Sequence, residues 1–161
     1  MIVRKFRPED TEAVIALANT AWQPINKMSR DRLGNKIADI IRPAGDKISK
    51  GLTIRRELSE YPQNFFVCED DNGKIIGFSG CRMDFNSKIG IVGHNAADKT
   101  CGKKGIGQML YKAVLAYFRE NGMVIAQVFT GLDEAHAPAR RAYRRAGFNR
   151  SLEHVTYYME L

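Results

Sequence analysis

The chain has few of the features that would point to a disulfide framework, a metal site or a membrane span. Its three cysteines, Cys68, Cys81 and Cys101, are odd in number and show no metal-ligand spacing, so we expect reduced thiols and no metal. The longest uninterrupted apolar runs, Ala13–Ala18 and Ala113–Phe118, have six residues each, far too few for a membrane span. The first residues also lack the apolar stretch of a signal peptide. We therefore expect a cytoplasmic protein with no membrane partner.

The composition is that of a soluble globular protein. Of 161 residues, 44% are hydrophobic and 27% are charged, which is ordinary and sufficient for one hydrophobic core. No repeat, linker or low-complexity stretch divides the chain, so the sequence predicts a single domain over residues 1–161. The net charge of +7 is compatible with a nucleic-acid partner, but no recognition motif or interleaving of basic and aromatic residues favours that use.

The first part of the chain predicts one strand followed by helices. Ile2–Phe6 alternates like a strand, and the helix after it is expected to end near Ala21. Apolar spacing marks two further helices within residues 22–62, with a break at residues 43–45 that precedes Ile48. From the spacing alone, this variable helical segment either packs on the domain or lies near a substrate.

The remainder of the chain alternates strands and helices. An Asn-Gly hairpin signal at residues 72 and 73 joins two predicted strands, Phe65–Glu69 and Lys74–Phe85. The further predicted elements are strand Ile89–Ala97, a helix from Ile106 to Asn121, strand Met123–Thr130, helix Pro138–Ala146 and an alternating terminal strand from Val155 to Leu161. The order β-α-(α-α)-β-β-β-α-β-α-β predicts a mixed α/β fold around one twisted sheet.

A loop with two glycines, Gly105 and Gly107, lies between a predicted strand and a predicted helix. In that order, unpaired backbone amides at the helix N-terminus coincide with the positive end of the helix dipole. Glycine also removes the Cβ atoms that would hold phosphate oxygens away from the backbone. The pattern indicates a phosphate or pyrophosphate site, although a tight turn without a ligand is an alternative. The spacing differs from a P-loop and from G-x-G-x-x-G, which disfavours nucleoside triphosphates and dinucleotides.

A second motif accompanies the loop. Residues His136–Phe148, which read HAPARRAYRRAGF, resemble the Asn-x-x-Ala-x-x-x-Tyr-x-x-x-Gly-Phe signature of the GNAT N-acetyltransferase superfamily. The glycine loop, about 30 residues upstream, resembles that family's Arg/Gln-x-x-Gly-x-Gly/Ala loop, which holds acetyl-CoA. The resemblance is strong over Ile89–Phe148. It implies a mostly antiparallel twisted sheet with helices on both faces and a splayed parallel strand pair.

The resemblance also implies where acetyl-CoA, the co-substrate, would bind. The pantetheine would lie in the splayed strand pair, against the backbone of Asn95, Ala96 and Ala97, where an amide polarises the thioester carbonyl. The pyrophosphate would lie on the loop and the start of the helix, which assigns cofactor binding to Gly102, Lys103, Lys104, Gly105, Ile106, Gly107 and Gln108. Gly102 replaces the family's Arg or Gln, so a neighbouring lysine would supply the charge. His136 replaces the Asn that bonds the pantetheine.

Tyr143 matches the tyrosine of the family signature. The resemblance implies that it acts as general acid and protonates the departing CoA thiolate. An aromatic side chain packed in the core is the alternative. By contrast, we expect His94 and His154 to be surface or structural histidines.

The general base is less well defined by the resemblance. The strand positions that carry Glu or His in some family members hold Ile91 and Gly93 here, and a loop position that carries Glu in others holds Gly131. Asp133 and Glu134 follow in that loop. We expect Glu134, which has the longer side chain, to bind the acceptor ammonium or to act as the base, with a solvated loop pair as the alternative.

These observations together predict an N-acetyltransferase that moves the acetyl group of acetyl-CoA directly to an amine in a ternary complex. In the family, the segment after the first helix commonly covers the acceptor, which would place residues 22–62 near that site. A catalytically degenerate CoA-binding sensor is one alternative, and a nucleic-acid-binding protein is a less favoured one. The sequence leaves open the acceptor amine and whether the protein forms a homodimer.

Overall fold

The computed structural model describes residues 1–41 and 50–161. In chain order its elements are β1 (Ile2–Lys5), α1 (Thr11–Ile41), α2 (Lys50–Glu60), β2 (Phe65–Glu69), β3 (Ile75–Asp84), β4 (Ile89–Ala97), α3 (Ile106–Glu120), β5 (Ile125–Val128) and α4 (Ala137–Arg145). Short 3₁₀ turns precede α1, β2 and α4. The predicted break at residues 43–45 and Ile48 lie outside the described residues.

The five strands form one sheet in the order β1-β2-β3-β4-β5. Neighbours from β1 to β4 are antiparallel, whereas β4 and β5 are parallel. The β2–β3 hairpin closes at the predicted Asn-Gly turn, where Gly73 has a φ of 82° and Asp70 N donates to Lys74 O at 2.9 Å. The predicted mixed, mostly antiparallel sheet is therefore confirmed.

The parallel strands separate at one end of the sheet. Their pairing runs from Ile89 and Ile125 to Val92 and Val128. Strand β4 then continues to Ala97, whereas β5 has ended. One side of β4 at residues 93–97 is therefore not hydrogen-bonded to β5, as expected for a splayed strand pair.

Helices cover both faces of the sheet and enclose two separate apolar clusters. Helices α1 and α2 contribute to one cluster, with Val14, Ala18, Ile54 and Leu58 packed against side chains such as Phe78. Helices α3 and α4 contribute to the other, which contains Ile106, Leu110, Val114, Phe118 and Tyr143. The sheet is thus buried on both sides, and each helix has its apolar face against it.

Two glycines in the sheet allow α3 to approach closely. A Cβ at Gly77 would lie 2.5 Å from Ile106 Cγ2, and a Cβ at Gly90 would lie 2.5 Å from the ring of Phe118. Any side chain at these positions would push the helix away. The two contacts are at opposite ends of α3, so they fix both the height of the helix above the sheet and the position of its first turn.

Helix α1 is longer than predicted. It continues past Ala21 to Ile41 and includes Pro24, with non-helical angles at Gly34, where φ is 74° and ψ is 166°. The first of the two further predicted helices, marked by Leu33, Ile37, Ile40 and Ile41, is the last part of α1. The sequence analysis missed the helical residues 22–32 that connect it to the first helix, because their apolar pattern is weak.

The predicted terminal strand is wrong. Residues 149–161 form neither strand nor helix, and all of them are exposed. Alternation predicts which side chains share a face, but a strand also needs a hydrogen-bonded neighbour. Among residues 1–41 and 50–161 the segment has none, and its end extends toward α1, where Glu160 Oε2 lies 2.8 Å from Lys36 Nζ.

Candidate active site

The glycine loop presents free backbone amides at the start of α3. Gly105 has a φ of 84° and is the N-cap residue of the helix. Met109 N donates to Gly105 O at 3.0 Å, so the amides of residues 106–108 precede the first intrahelical bond and have no acceptor within the helix. The dipole of the 15-residue helix adds positive potential at the same point. This geometry suits an anionic group such as a pyrophosphate.

The loop before the helix is held by side-chain contacts. Asp98 Oδ1 accepts from the backbone N and the hydroxyl of Thr100, at 2.8 and 2.6 Å, and Gly102 has a φ of 70°. Lys103 Nζ lies 3.1 Å from Asp71 Oδ2, so this lysine is turned toward the β2–β3 hairpin. Lys104 is exposed and forms no ion pair with the described residues, which leaves its ammonium available to a phosphate.

Asn95 connects two tyrosine hydroxyls beneath the unpaired end of β4. Tyr111 Oη donates to Asn95 Oδ1 at 2.9 Å, and Asn95 Nδ2 donates to Tyr143 Oη at 3.1 Å. The rings of the two tyrosines are 5.3 Å apart between centroids. The hydroxyl oxygen of Tyr143 is therefore an acceptor in this network, and its own proton remains available to a ligand.

Tyr143 is buried, and its environment keeps it protonated. Burial raises the pKa of Tyr143, and the hydrogen bond from Asn95 offsets only part of that effect. The backbone around it is fixed by Gln108 Nε2, which donates to Ala142 O at 2.9 Å and ties the first turn of α3 to α4. A neutral phenol with a free proton is chemically suited to a general acid.

The loop between β5 and α4 contains the residue that replaces the family's Asn. His136 Nδ1 lies 2.7 Å from Asp133 Oδ2, and His136 N donates to Asp133 Oδ1 at 3.1 Å. Arg140 Nη1 donates to the carbonyls of Gly131 and Asp133 at 2.7 and 2.6 Å. A Cβ at Gly131 would collide with Asp133 Oδ2 and lie 2.7 Å from His136 Nδ1. The contact between His136 and Asp133 therefore requires that residue 131 has no side chain.

The two loop carboxylates have different surroundings. Burial acts to raise the pKa of Asp133, but the hydrogen bond with His136 outweighs it, so the pKa is lowered. Asp133 is thus a structural anion that holds His136. Glu134 is exposed and has no hydrogen bond or ion pair within the described part of the chain, which leaves its carboxylate accessible to a ligand.

A cleft of about 760 Å³ lies on the opposite side of the unpaired end of β4. Phe129, directly after β5, and residues 91–94 of β4 both line it, so the cleft reaches the point where the two strands separate. Helix α2 and the turn after it supply another wall. The charged and aromatic side chains in the lining are Arg56, Glu57, Glu60, Tyr61, Phe65, Arg82, His94 and Phe129.

His94 and Glu57 form a pair in this cleft. His94 Nε2 lies 3.3 Å from Glu57 Oε1 and 3.1 Å from Lys50 Nζ, and its ring makes an edge contact with Trp22. Burial acts to raise the pKa of Glu57, but the hydrogen bond and charge of His94 outweigh it, so the pKa is lowered. Residues from α1, α2 and β4 meet here, far apart in sequence, and for that reason the sequence analysis missed the pair.

The profile of the acetyltransferase (GNAT) family matches residues 35–148. This range contains the glycine loop, Asn95, the loop before α4 and Tyr143, and it exceeds half of the chain. The chain belongs to the GNAT acetyltransferase family.

A curated relative covers nearly the whole chain. A mycothiol acetyltransferase from Segniliparus rotundus is 27% identical over 168 residues, an alignment that includes 96% of this chain and 54% of that protein. The present GNAT chain thus spans about half the length of this relative.

Solved structures share the fold. Ard1 from Thermoplasma volcanium superposes with a TM-score of 0.67 at 21% identity, over 94% of this chain and 84% of that one. A Mycobacterium tuberculosis protein in complex with CoA and NLQ superposes with a TM-score of 0.57 at 22% identity, over 87% of this chain and 70% of that one.

Hydrogen bonds bring together Asn95 of β4, the first turns of α3 and Tyr143 of α4. His136 lies with Asp133 in the loop before α4, and Glu134 lies at the surface. In residues 1–41 and 50–161, no group of three or more His, Cys, Asp or Glu is arranged to hold a metal ion. Over the same ranges, no helix is both long and apolar enough to cross a membrane.

Proposed function

We propose that this GNAT protein transfers the acetyl group of acetyl-CoA directly to an amine while both substrates are bound. One observation supports this more than any other. The unpaired end of β4 lies between an anion-binding helix start, with the Asn95–Tyr143 hydrogen bond, on one face and an open cleft on the other. A thioester in the splay would therefore be accessible to an acceptor from the cleft.

The reaction requires one bond to form and one to break. The lone pair of the amine attacks the thioester carbonyl, the C–N bond forms, and the C–S bond then breaks with the electron pair on sulfur. Backbone amides at residues 95–97 would stabilise the oxyanion, a contribution of roughly 10²–10³ in rate for one donor. Tyr143 would give its proton to the thiolate, and a base on the cleft side would take the proton of the amine.

Two groups are candidates for that base. Glu134 is the residue that the sequence analysis favours. Its carboxylate is accessible, but no hydrogen bond or ion pair within the described residues orients it. His94 lies in the cleft with a carboxylate partner, Glu57, 3.3 Å from its Nε2, which can orient the imidazole, as in other His–carboxylate pairs. Lys50 Nζ lies 3.1 Å from the same nitrogen. Because the base must reach the amine, the geometry favours His94, with Glu134 as the competing proposal.

The acceptor would bind in the cleft formed with α2. Glu57 and Glu60 can attract an ammonium, and Tyr61 and Phe129 can contact apolar or cationic parts of the ligand. This assigns the helical segment within residues 22–62 to acceptor binding. The acceptor screen should therefore include small amines, amino acids, aminoglycosides, peptide N-termini and the acceptor of mycothiol acetyltransferases.

Two successive experiments, on CoA binding and then on thiol release, test the proposal. CoA at about 100 times its dissociation constant should add roughly 2.7 kcal/mol of stability and raise the melting temperature by several degrees. Acetyl-CoA with the correct amine should then release free CoA thiol in a colorimetric assay. A missing thermal shift at millimolar CoA would contradict the proposal that the protein binds CoA. A shift without thiol release across the whole acceptor panel would favour the sensor function.

A further inference from the structure

Two glycines lie side by side in the floor of the cleft. Gly80 of β3 and Gly93 of β4 both line it, and a Cβ at Gly93 would lie 3.3 Å from Gly80 O. A Cβ at Gly80 would lie 2.7 Å from the ring of Phe65, a distance that no side chain could keep without moving that ring. The register of the two strands also shifts here, between Ser79 and Cys81, as it does at a β-bulge. This part of the floor is therefore backbone, and a ligand can lie against it.

Different side chains stand at the two ends of this glycine floor, and both line the cleft. His94 follows Gly93 directly, at the end where β4 is no longer paired with β5. Arg82 lies two residues beyond Gly80 on β3, so the two share a face of the sheet, and its backbone is in register with Ile91. From Ile91 to His94 is about 10 Å of extended strand. An acceptor whose amine is at His94 can therefore place a second group near the long side chain of Arg82.

Arg82 differs from the other charged side chains that line the cleft, because they are paired. Glu57 Oε1 lies 3.3 Å from His94 Nε2, and Arg56 Nε lies 3.8 Å from Glu60 Oε1. Arg82 is exposed and has no hydrogen bond or ion pair within the described part of the chain. A guanidinium is always charged and can bind a carboxylate or a phosphate through two parallel hydrogen bonds. The charge that remains available to a ligand in this cleft is therefore positive.

We infer that the acceptor is an amine that also carries an anionic group, a carboxylate or a phosphate, and that Arg82 binds this group while the amine lies at His94. The inference rests on the proposed use of the cleft for the acceptor and adds the acceptor's chemical class. Binding at both ends of the glycine floor would orient the acceptor so that its amine faces the splay. A polycationic amine such as an aminoglycoside would meet the guanidinium as a like charge, which disfavours that class.

Thiol release with matched amines tests the inference. Each amino acid of the acceptor panel is compared with its amide, and phosphoethanolamine is compared with ethanolamine. In the pairs that react, kcat/KM of the anionic member should be about 10- to 100-fold higher, the range expected for one charge-assisted contact. The pair with the larger ratio distinguishes a carboxylate from a phosphate. Equal values in all reacting pairs, or a preference for the neutral members, would overturn the inference and leave the proposed acetyl transfer intact.

Substitution of Arg82 tests whether this residue is the source of the preference. Arg82→Gln should lower kcat/KM of the anionic member by about 10- to 100-fold and leave that of the neutral member unchanged. Arg82→Lys keeps the charge but loses the planar pair of donors, so it should retain part of the preference. The matched control is Arg119→Gln, an exposed arginine of α3 on the other face of the sheet, and it should leave both values unchanged. A full preference in Arg82→Gln would overturn the inference.

Calorimetry separates a failure of this inference from a failure of the proposed activity. Wild type and Arg82→Gln, each saturated with CoA, are titrated with both members of every pair, which needs no turnover. If the anionic member binds and its affinity falls by about tenfold or more in Arg82→Gln, the anion site stands. It then stands even where no amine releases thiol, and only the enzymatic proposal fails. If no anionic amine binds to the wild type, the inference is wrong.

Discussion

At the scale of single residues, the site depends on a side chain that the sequence analysis assigned only for its backbone. Asn95 was predicted to contact the pantetheine through its main chain, and that prediction is untested. Its side chain links Tyr111 to Tyr143, and because the Tyr143 oxygen accepts in this link, the hydroxyl proton of Tyr143 is not used by it. The resemblance to the family signature pointed to Tyr143 but not to this network, because Asn95 and Tyr143 meet only through the fold.

Tyr143→Phe tests the general acid. Removing the hydroxyl should lower kcat by up to about 10²–10⁴, because the CoA thiolate then depends on water for its proton. The dissociation constant of acetyl-CoA, measured by calorimetry, should stay within a few-fold. Tyr117→Phe is the matched control, since its ring packs on the same side of the sheet and its hydroxyl is remote from Asn95. An unchanged kcat in Tyr143→Phe would make Tyr143 a packing residue.

The base can be identified from the pH dependence of kcat/KM. If His94 takes the proton of the amine, His94→Gln should lower kcat/KM at neutral pH by about 10²-fold or more and flatten its acidic limb. Glu57→Gln should produce a smaller loss in the same limb, because it leaves the imidazole in place but removes its partner.

Glu134→Gln is the decisive comparison for that experiment. If Glu134 is the base, its substitution flattens the acidic limb and His94→Gln preserves it. If neither substitution alters the limb, both residues are excluded and an ordered water chain must carry the proton. Calorimetry with CoA on each variant verifies that the co-substrate site is intact.

At the scale of elements, the sequence predicted best the parts whose signals are local. The hairpin at Gly73, the glycine loop and helix α3 each depend on residues within one short stretch, and all were found where expected. Helix α1 and the C-terminal segment were predicted poorly for opposite reasons. The weak apolar pattern of residues 22–32 concealed the connection between two predicted helices, whereas the strong alternation from Val155 suggested a strand that has no neighbour within residues 1–41 and 50–161.

The two glycines of the loop differ in how well the backbone would tolerate a side chain. Gly105 has a φ of 84°, whereas a Cβ at Gly107 would have only an ordinary contact, 3.6 Å from the Tyr111 ring. Valine at Gly105 would therefore add backbone strain of about 1–2 kcal/mol. A lost thermal shift in that variant would reflect either a destabilised fold or lost CoA binding. Gly107→Val is the better test. It should remain folded by circular dichroism and lose the thermal shift with CoA, because a branched side chain in the first turn of α3 would keep phosphate oxygens away from the backbone amides.

A distant valine in the same helix controls for the introduction of a β-branched side chain into α3. Glu120→Val, in the last turn of α3, introduces the same side chain but leaves the first turn unchanged, so it should retain the full thermal shift. A full shift in Gly107→Val would contradict the assignment of the first turn to the pyrophosphate.

At the scale of the whole molecule, some of the basic side chains are used in internal contacts. Arg4 is bonded to Asp10 and Glu69, Lys5 lies over the rings of Phe66 and Tyr117, and Arg140 binds loop carbonyls. These contacts reduce the basic surface that a nucleic acid would need. They also make the fold sensitive to acid.

Asp10 should make stability depend on pH. Burial acts to raise its pKa, but hydrogen bonds from Arg4 and the Arg7 amide outweigh it, so the folded pKa lies below the unfolded one. The contribution is present at neutral pH and is lost as pH falls below about 4 toward the folded pKa. Asp10→Asn should cost about 2 kcal/mol in urea unfolding at pH 7 and show a smaller additional loss than wild type at pH 3.

The surface pair of Lys27 and Asp31 provides the control for this measurement. Its side chains are 77% and 60% exposed, so Asp31→Asn should change stability by less than about 0.5 kcal/mol. An equal effect of the two substitutions would mean that the Arg4–Asp10 contact contributes no more than a surface pair.

The division of the molecule by its sheet has a consequence for how a protein with the proposed activity diversifies. The apolar cluster under α3 and α4 supports the proposed co-substrate site, whereas α1 and α2 rest on a separate cluster, and α2 lines the proposed acceptor cleft. Energetic effects of distant, non-contacting sites are nearly additive. Selection for a new acceptor can therefore act on Arg56, Glu60 and Tyr61 while purifying selection preserves the other face. Gene duplicates of this architecture can exchange one specificity for another without passing through an ancestor that has lost acetyl-CoA.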